Sequence, residues 1–167
     1  LATGVGGKLI NYAQTKKTDQ FSESVSSGNF SGAAIALTYS CASATNKIII
    51  SAQLSTGCDH SASVSATLYI DGSVASAFVR DTEGSPYNNY RVVTVSGGKD
   101  SGDSHHGNLV VELLHTPGDT NSHTYDFRLN HNNNDTMELY LNGVEHYSND
   151  TYRHRAMSTM TIKELAA

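Results

Sequence analysis

The sequence predicts an all-β protein: an antiparallel, jelly-roll-like β-sandwich with about ten strands and little or no helix. Apolar and polar residues alternate with period two along most of the chain, which is typical of half-buried strands. No segment carries a capped helical stripe of apolar residues. Short strands at ~8–12-residue spacing, without crossover helices, favour a sandwich over a parallel α/β fold.

The alternation is clearest in segments 48–54 and 64–70. Ile48, Ile50 and Leu54 share one face of the first segment, and the second segment repeats the pattern. Asp71-Gly72 then supplies a two-residue hairpin turn, which predicts a returning strand over 74–79. The same alternation predicts further strands over 33–39, 109–113, 125–129, 137–141 and 156–165.

Length and composition predict a single domain. A chain of 167 residues suits one full hydrophobic core. Residues 1–7 are rich in glycine and begin without Met, so we expect a linker or trimmed remnant there and one β-sandwich domain over 8–167. Only 16% of residues are charged, yet 9 Tyr and 4 Phe are present, which argues against disorder.

Charge and missing motifs exclude several classes of function. The net charge of −5 comes without a basic stripe, so a nucleic-acid partner is disfavoured. No apolar stretch approaches the ~20 residues of a membrane span, which predicts no membrane insertion. Phosphate-binding loops, nucleophile elbows and zinc-protease motifs are absent from the sequence. We therefore predict no cofactor and no enzyme activity.

The two cysteines, Cys41 and Cys58, are too few for a disulfide framework and lack zinc-site spacing. Each follows a predicted strand, 33–39 or 48–54. If those strands pair as a hairpin, the cysteines lie at opposite ends of it, beyond the ~7 Å between Cα atoms that a bridge allows. The prediction is two free thiols.

Polar loops carry the candidate ligand contacts. A glycan offers hydroxyls and an apolar ring face, which suit short amide or carboxylate groups beside an aromatic side chain. The candidates are Tyr87, Asn88, Asn89 and Tyr90, then His131, Asn133 and Asp135, and finally His146, Tyr147, Asp150, Tyr152, Arg153 and His154. The last group is the richest because it adds a forked guanidinium donor. Ordinary solvated loops are the alternative interpretation.

Metal binding has less support. Adjacent His105 and His106 project to opposite faces of an extended chain, and the segment 100–103 lacks the remaining oxygen ligands of a calcium loop. We predict no metal site within one chain. In a trimer, three copies of His131 or His154 near the axis are an alternative, since they would supply three imidazoles.

Several pieces taken in order resemble the receptor-binding, tail-fibre type domains of marine tailed bacteriophages. The similarity runs over nearly the whole chain from Gly7 and lies in the order and spacing of the pieces. They are Gly7-Lys8-Leu9-Ile10 with Gln14-Thr15, Asn46-Lys47-Ile48-Ile49-Ile50, Ala66-Thr67-Leu68-Tyr69-Ile70-Asp71-Gly72, His115-Thr116-Pro117-Gly118, His123-Thr124-Tyr125-Asp126-Phe127, and Arg155-Ala156-Met157-Ser158-Thr159-Met160-Thr161-Ile162-Lys163-Glu164-Leu165.

The resemblance implies a homotrimeric β-sandwich head at the end of a fibre, joined to the rest of a fibre or virion protein. It implies recognition of a host-surface glycan or protein, assembly in the bacterial cytoplasm and no catalytic residues. The loops of this chain depart from the Gly/Ser-rich loops of such domains because they are rich in His and Asn.

Some strands carry apolar residues on both faces, as at Ile49/Ile50 and Val110/Val111, which separately favours cover by a neighbouring subunit. Two alternatives to a receptor-binding module stay open. One is a structural capsid or decoration protein without a ligand. The other is a glycan-cleaving enzyme, for which Asp81 with Glu83 or Asp100 with Asp103 would have to act as the two carboxyl groups.

Overall fold

The computed structural model describes residues 7–58, 62–79, 94–95, 105–143 and 156–167. These ranges contain eleven strands and one short 3₁₀ turn, Ser76–Phe78. The strands are β1 (Leu9–Lys17), β2 (Phe21–Val25), β3 (Ile35–Ser40), β4 (Lys47–Cys58), β5 (Val64–Ile70), β6 (Ser73–Val74), β7 (Thr94–Val95), β8 (His105–His115), β9 (Ser122–His131), β10 (Met137–Leu141) and β11 (Ser158–Leu165).

The first sheet, here called sheet A, has four rows of strands. Its long strand β4 pairs with β8 on one side from Ile48 to Cys58. On its other side, β4 pairs first with β11 and then, past Gln53, with β10, so that β11 and β10 lie end to end in one row. The fourth row contains β1, paired with β11, and β2, paired with β10.

The second sheet, sheet B, also has four rows. β9 lies between β3 and β5. The far side of β5 pairs with the two short strands β6 and β7, again in one row. If strands that share a row are counted once, the chain forms eight rows, numbered in chain order: β1/β2, β3, β4, β5, β6/β7, β8, β9 and β10/β11. The rows are arranged 1-8-3-6 in sheet A and 2-7-4-5 in sheet B, and every described pair is antiparallel. This is the strand order of a jelly roll, so the predicted fold class is confirmed.

The core lies between the two sheets and follows the predicted alternation. Ile48, Ile50 and Leu54 of β4 are fully buried against Leu68 of β5 and Phe127 of β9. Burial of one such side chain stabilises the fold by roughly 1.5–3 kcal/mol. The inward positions are therefore committed to packing, and functional side chains have to come from loops, edges or outward faces.

One predicted strand pairing needs correction. The hairpin between 33–39 and 48–54 is wrong, because β3 pairs with β9 in sheet B while β4 lies in sheet A. The chain crosses between the sheets there instead of turning back. Neither Cys41 nor Cys58 forms a disulfide, in agreement with the predicted thiols, although the hairpin on which that prediction relied does not form, and both side chains are buried.

The Asp71-Gly72 turn forms as predicted, with positive φ angles of 50° and 78° at its two residues. The returning strand over 74–79 is much shorter than predicted: β6 ends at Val74 and the chain enters the 3₁₀ turn. Within the described residues, no helix is long and apolar enough to cross a membrane.

Candidate functional site

Most of the predicted ligand contacts lie outside the described residues. This applies to Tyr87, Asn88, Asn89 and Tyr90, and to His146, Tyr147, Asp150, Tyr152, Arg153 and His154. The acidic residues of the enzyme alternative, Asp81, Glu83, Asp100 and Asp103, lie outside them as well. What the structure shows for the richest candidate segment is how its two ends are held.

Asn142 and Ser158 hold the two ends of segment 143–157. The Ser158 hydroxyl donates a hydrogen bond of 2.6 Å to Asn142 Oδ1. Both residues also bind the backbone of Ser55 in β4. The Asn142 N–H donates to the Ser55 carbonyl at 2.7 Å, and the Ser55 N–H donates to Ser158 Oγ at 3.0 Å. Asn142 and Ser158 are 3% and 0% exposed. The segment therefore leaves and re-enters sheet A at one buried, hydrogen-bonded point.

The side-chain amide of Asn142 extends this anchor to the outermost row. Its Nδ2 donates to the carbonyls of Lys17 at 2.8 Å and Asp19 at 3.0 Å, where the chain passes from β1 to β2. The backbone φ of Asn142 is 63°, a left-handed conformation that Asn tolerates better than most residues. The Asn-Gly pair at 142–143 is a turn signal in the sequence. The contacts of Asn142 with Lys17, Asp19, Ser55 and Ser158 could not be predicted, because they join residues that are distant in the chain.

The other described candidate loop, 132–136, connects β9 to β10. Its backbone is ordered by its own side chains, because Asn132 Oδ1 accepts from the Ser63 N–H at 2.9 Å and Asn133 Oδ1 accepts from the Asp135 N–H at 3.1 Å. Asp135 is exposed and Asn133 is half-buried. The 132–136 loop ends where β10 starts, and segment 143–157 follows the end of β10. The two candidate segments therefore lie next to opposite ends of one short strand.

His131 is not a surface residue, and its prediction as a ligand contact is corrected. It is 0% exposed on the inner face of sheet B. Its Nε2 donates to the Val25 carbonyl at 2.8 Å, and its Nδ1 accepts from the Asn133 N–H at 3.2 Å. Both ring nitrogens are used within the chain, so His131 is also unsuited to an axial metal site. Its role is to join β2, β9 and the start of the 132–136 loop.

Another cluster, at the opposite end of the sandwich, was missed by the sequence analysis. His123 lies between two carboxylates: its Nδ1 is 2.6 Å from Asp71 Oδ2 and its Nε2 is 2.9 Å from Asp119 Oδ1. Asp71 also accepts from the Thr124 N–H at 2.8 Å. The cluster ties the β5–β6 turn to the turn before β9. Asp119 and His123 are only four residues apart in the chain. Asp71 is distant from both in sequence and lies beside His123 because β5 pairs with β9.

The ionisation of this cluster predicts a pH dependence. Hydrogen bonds to Asp71 and then to Asp119 raise the pKa of His123 above 6.5, and the hydrogen bonds from His123 lower the pKa of both carboxyls below 3.8. His115 is a neighbouring group whose pKa is lowered by burial and by the charge of His123.

We expect the imidazole's contribution to stability to be complete below about pH 6.5 and to disappear as pH rises through the raised pKa of His123. The carboxyl contribution should be lost as pH falls through the lowered pKa values of Asp71 and Asp119. Thermal unfolding of the parent and of His123→Gln between about pH 5 and about pH 9 measures the first effect. The difference in melting temperature should shrink toward high pH, and a constant difference would contradict the prediction.

Glu164 of β11 is fully buried and is the centre of a second polar cluster. Its carboxylate accepts from the Tyr39 hydroxyl at 2.6 Å, the Asn46 amide at 2.6 Å and the Ala42 N–H at 2.8 Å. Burial by itself would raise the pKa of Glu164, but the hydrogen bonds outweigh it and hold the pKa below the usual 4.5. All of its partners lie on or after β3, so this carboxylate fixes the crossing from sheet B to sheet A.

The described residues contain no group of three or more His, Cys, Asp or Glu side chains arranged to hold a metal ion. Their polar clusters are internally hydrogen-bonded and act as structural anchors. The protein is thus an antiparallel jelly-roll sandwich in which buried polar side chains hydrogen-bond the ends of several loops to the sheets. No protein-family model matches the chain, and no curated protein matches it.

Proposed function

We propose that this domain is a receptor-binding module of tail-fibre type, which recognises a host-surface glycan or protein through its polar loops. It would act in the virion as a homotrimer joined to the rest of a fibre protein. The proposal rests on the resemblance of the sequence, on the chemistry of the loops and on the way the structure anchors the richest candidate segment.

The buried Asn142–Ser158 anchor is the observation that carries the proposal furthest. A recognition loop binds more tightly when less of its conformational entropy remains to be lost on binding. The 2.6 Å hydrogen bond between Ser158 and Asn142 fixes the two ends of segment 143–157 close together. This reduces the number of conformations that the segment can adopt. The two ends of the segment thus start from a rigid, buried support, and a binding site needs such a support.

Weak binding at each site would be sufficient for such a module. A trimer presents three equivalent sites, and several trimers on a particle engage one surface at once. Linked sites raise the overall avidity by ~10²–10⁴ without any new contact.

The decisive experiment compares Tyr152→Ala and Arg153→Ala with the parent on a glycan array and on intact bacterial cells. Tyr152 offers a stacking face and Arg153 a forked donor. Each substitution should weaken binding by roughly tenfold or more, as truncation of aromatic or arginine anchors does. If both side chains face the receptor, as the proposal requires, the melting temperature should stay nearly unchanged, since substitutions of exposed loop residues move stability by under ~0.5 kcal/mol.

Thr120→Ala is the matched control, because Thr120 is an exposed loop residue on the turn before β9, away from the anchor. It should bind like the parent. If Tyr152→Ala and Arg153→Ala also bind like the parent, and substitutions within 81–90 change nothing, recognition through these loops is refuted. A structural capsid or decoration protein then becomes the better account.

One observation favours that structural alternative, which is an exposed apolar surface on sheet A. Val110 and Leu114 of β8 remain 72% and 55% exposed. Such a surface fits contact with another protein at least as well as contact with a glycan. No observation on the described residues favours the glycan-cleaving alternative.

A further inference from the structure

Among the described residues, the large exposed apolar side chains lie on or beside sheet A. All six large apolar residues exposed in the described chain lie on β1, on β8 or directly before β11; they are Leu9, Ile10, Tyr12, Val110, Leu114 and Met157. The side chains described on β3, β5, β6 and β9 of sheet B include none, and the outward positions of β3 are small residues such as Thr38 and Ser40. The two outward faces of the sandwich therefore differ in kind.

Strand register turns these residues into a continuous surface on sheet A. Leu114 is paired with Ile49, Ile49 with Lys163, and Lys163 with Tyr12, so one line of side chains crosses all four rows. Ile49 is half-buried, whereas Leu114 and Tyr12 are at least half exposed. The long aliphatic stem of Lys163 can cover apolar neighbours while its ammonium group stays in water.

Charge is divided between the two edges of this surface. Glu112 projects outward from β8 between Val110 and Leu114, and Lys16 and Lys163 project outward from β1 and β11. All three are exposed, and no ion pair between described residues includes any of them. The β8 edge is therefore apolar and acidic and the opposite edge is apolar and basic, while Lys47 at the start of β4 is a further exposed cation between them.

We infer that the outward face of sheet A forms the contacts between copies of this chain in the proposed homotrimer, on which this inference rests, with the β8 edge of one copy on the β1–β11 edge of the next. A surface whose two halves complement each other in charge is satisfied by another copy of itself. In this arrangement Glu112 of one copy faces Lys163 of its neighbour, while Val110 and Leu114 pack near Tyr12.

The dimensions of the face suit such a contact. Four rows about 4.8 Å apart, each with about eight residues rising about 3.4 Å, give a flat area of roughly 500 Å² before side-chain relief is added. A standard interface buries ~800 Å² per partner, so the whole face, shared between two neighbouring copies, is of the order of one such interface. Both edge strands, β1 and β8, also lack a second partner among the described strands, and long open edges are normally covered.

Charge reversal tests the inference on the intact chain. We expect light scattering at micromolar concentration to show an oligomer for the parent. Glu112→Lys and Lys163→Glu should each raise the dissociation constant by roughly tenfold or more, because each places like charges opposite one another. The double variant carrying both reversals should recover the parent affinity, since the pair is restored with its signs exchanged.

Ser40→Glu is the control, since Ser40 is exposed on the outward face of sheet B. It should leave the oligomer unchanged. A monomeric parent, singles that behave like Ser40→Glu, or a double variant no better than the singles would each overturn the inference. None of these outcomes decides glycan recognition, which the Tyr152 and Arg153 variants test separately.

Discussion

Glu164→Ala is expected to lower the free energy of unfolding by about 3–5 kcal/mol, among the largest effects of any single substitution in this chain. The change leaves the Tyr39 hydroxyl and the Asn46 amide buried without their acceptor, and it removes the partner of the more exposed Ala42 N–H. Each unsatisfied buried donor costs ~1–3 kcal/mol. For a domain of this size the melting temperature should fall by roughly 10 °C.

Glu138→Ala is the matched control, because Glu138 lies in the same sheet, is only half-buried and binds the Ser24 hydroxyl. It should cost about 1 kcal/mol or less. Chemical denaturation of both variants gives the comparison. Equal losses would show that the Glu164 cluster does not hold the crossing between the sheets.

The ionisation of Glu164 adds an acid-sensitive component to stability. Because its folded pKa is lowered, its contribution is present above about pH 4.5 and is lost as pH falls through that lowered value. The acid-induced loss should therefore be smaller in Glu164→Gln than in the parent. A variant with an unchanged acid profile would contradict the pKa direction.

Asn142→Ala is expected to cost about 3 kcal/mol, since it removes the amide that binds Lys17, Asp19 and Ser158 and places alanine at a φ of 63°. Asn142→Gly removes the same hydrogen bonds but adopts the left-handed backbone without strain. It should be more stable than the alanine variant by about 1 kcal/mol. Thermal unfolding of the two variants separates the hydrogen bonds from the backbone conformation.

Combining Asn142→Ala with Ser158→Ala tests whether the anchor is one unit. Residues that share a hydrogen bond lose less stability together than the sum of their separate losses, with a coupling of ~0.5–3 kcal/mol. Strict additivity would mean that the two ends of segment 143–157 are held independently. If the proposed function holds, both single variants should also bind glycan more weakly, even at temperatures where they remain folded.

The all-β class and most strands could be predicted because inward residues alternate with outward ones. The strands β5, β10 and β11 coincide with predicted segments in which that alternation is clear. In contrast, β1 and β2 were not predicted. β1 is an edge strand whose inward positions include the small or polar Asn11, Ala13 and Thr15, so its hydrophobic signal is weak.

Pairing could not be predicted from local pattern. The segments 33–39 and 48–54 looked like neighbours, but β3 and β4 lie in different sheets because Glu164, more than 100 residues further along, holds the chain between them. His131 looked like a loop residue because its neighbours are Asn and Asp. Its position in register with Val64 instead places it on the inner face.

The sequence by itself determined the fold class, the Asp71-Gly72 turn and the polar character of the loops, because each of these depends on residues close together in the chain. Only the tertiary structure decided the jelly-roll order, the anchors at Asn142 and Glu164, and the collection of exposed apolar residues on one sheet. Those features join residues distant in sequence, and such contacts are determined by which strands pair and in which register.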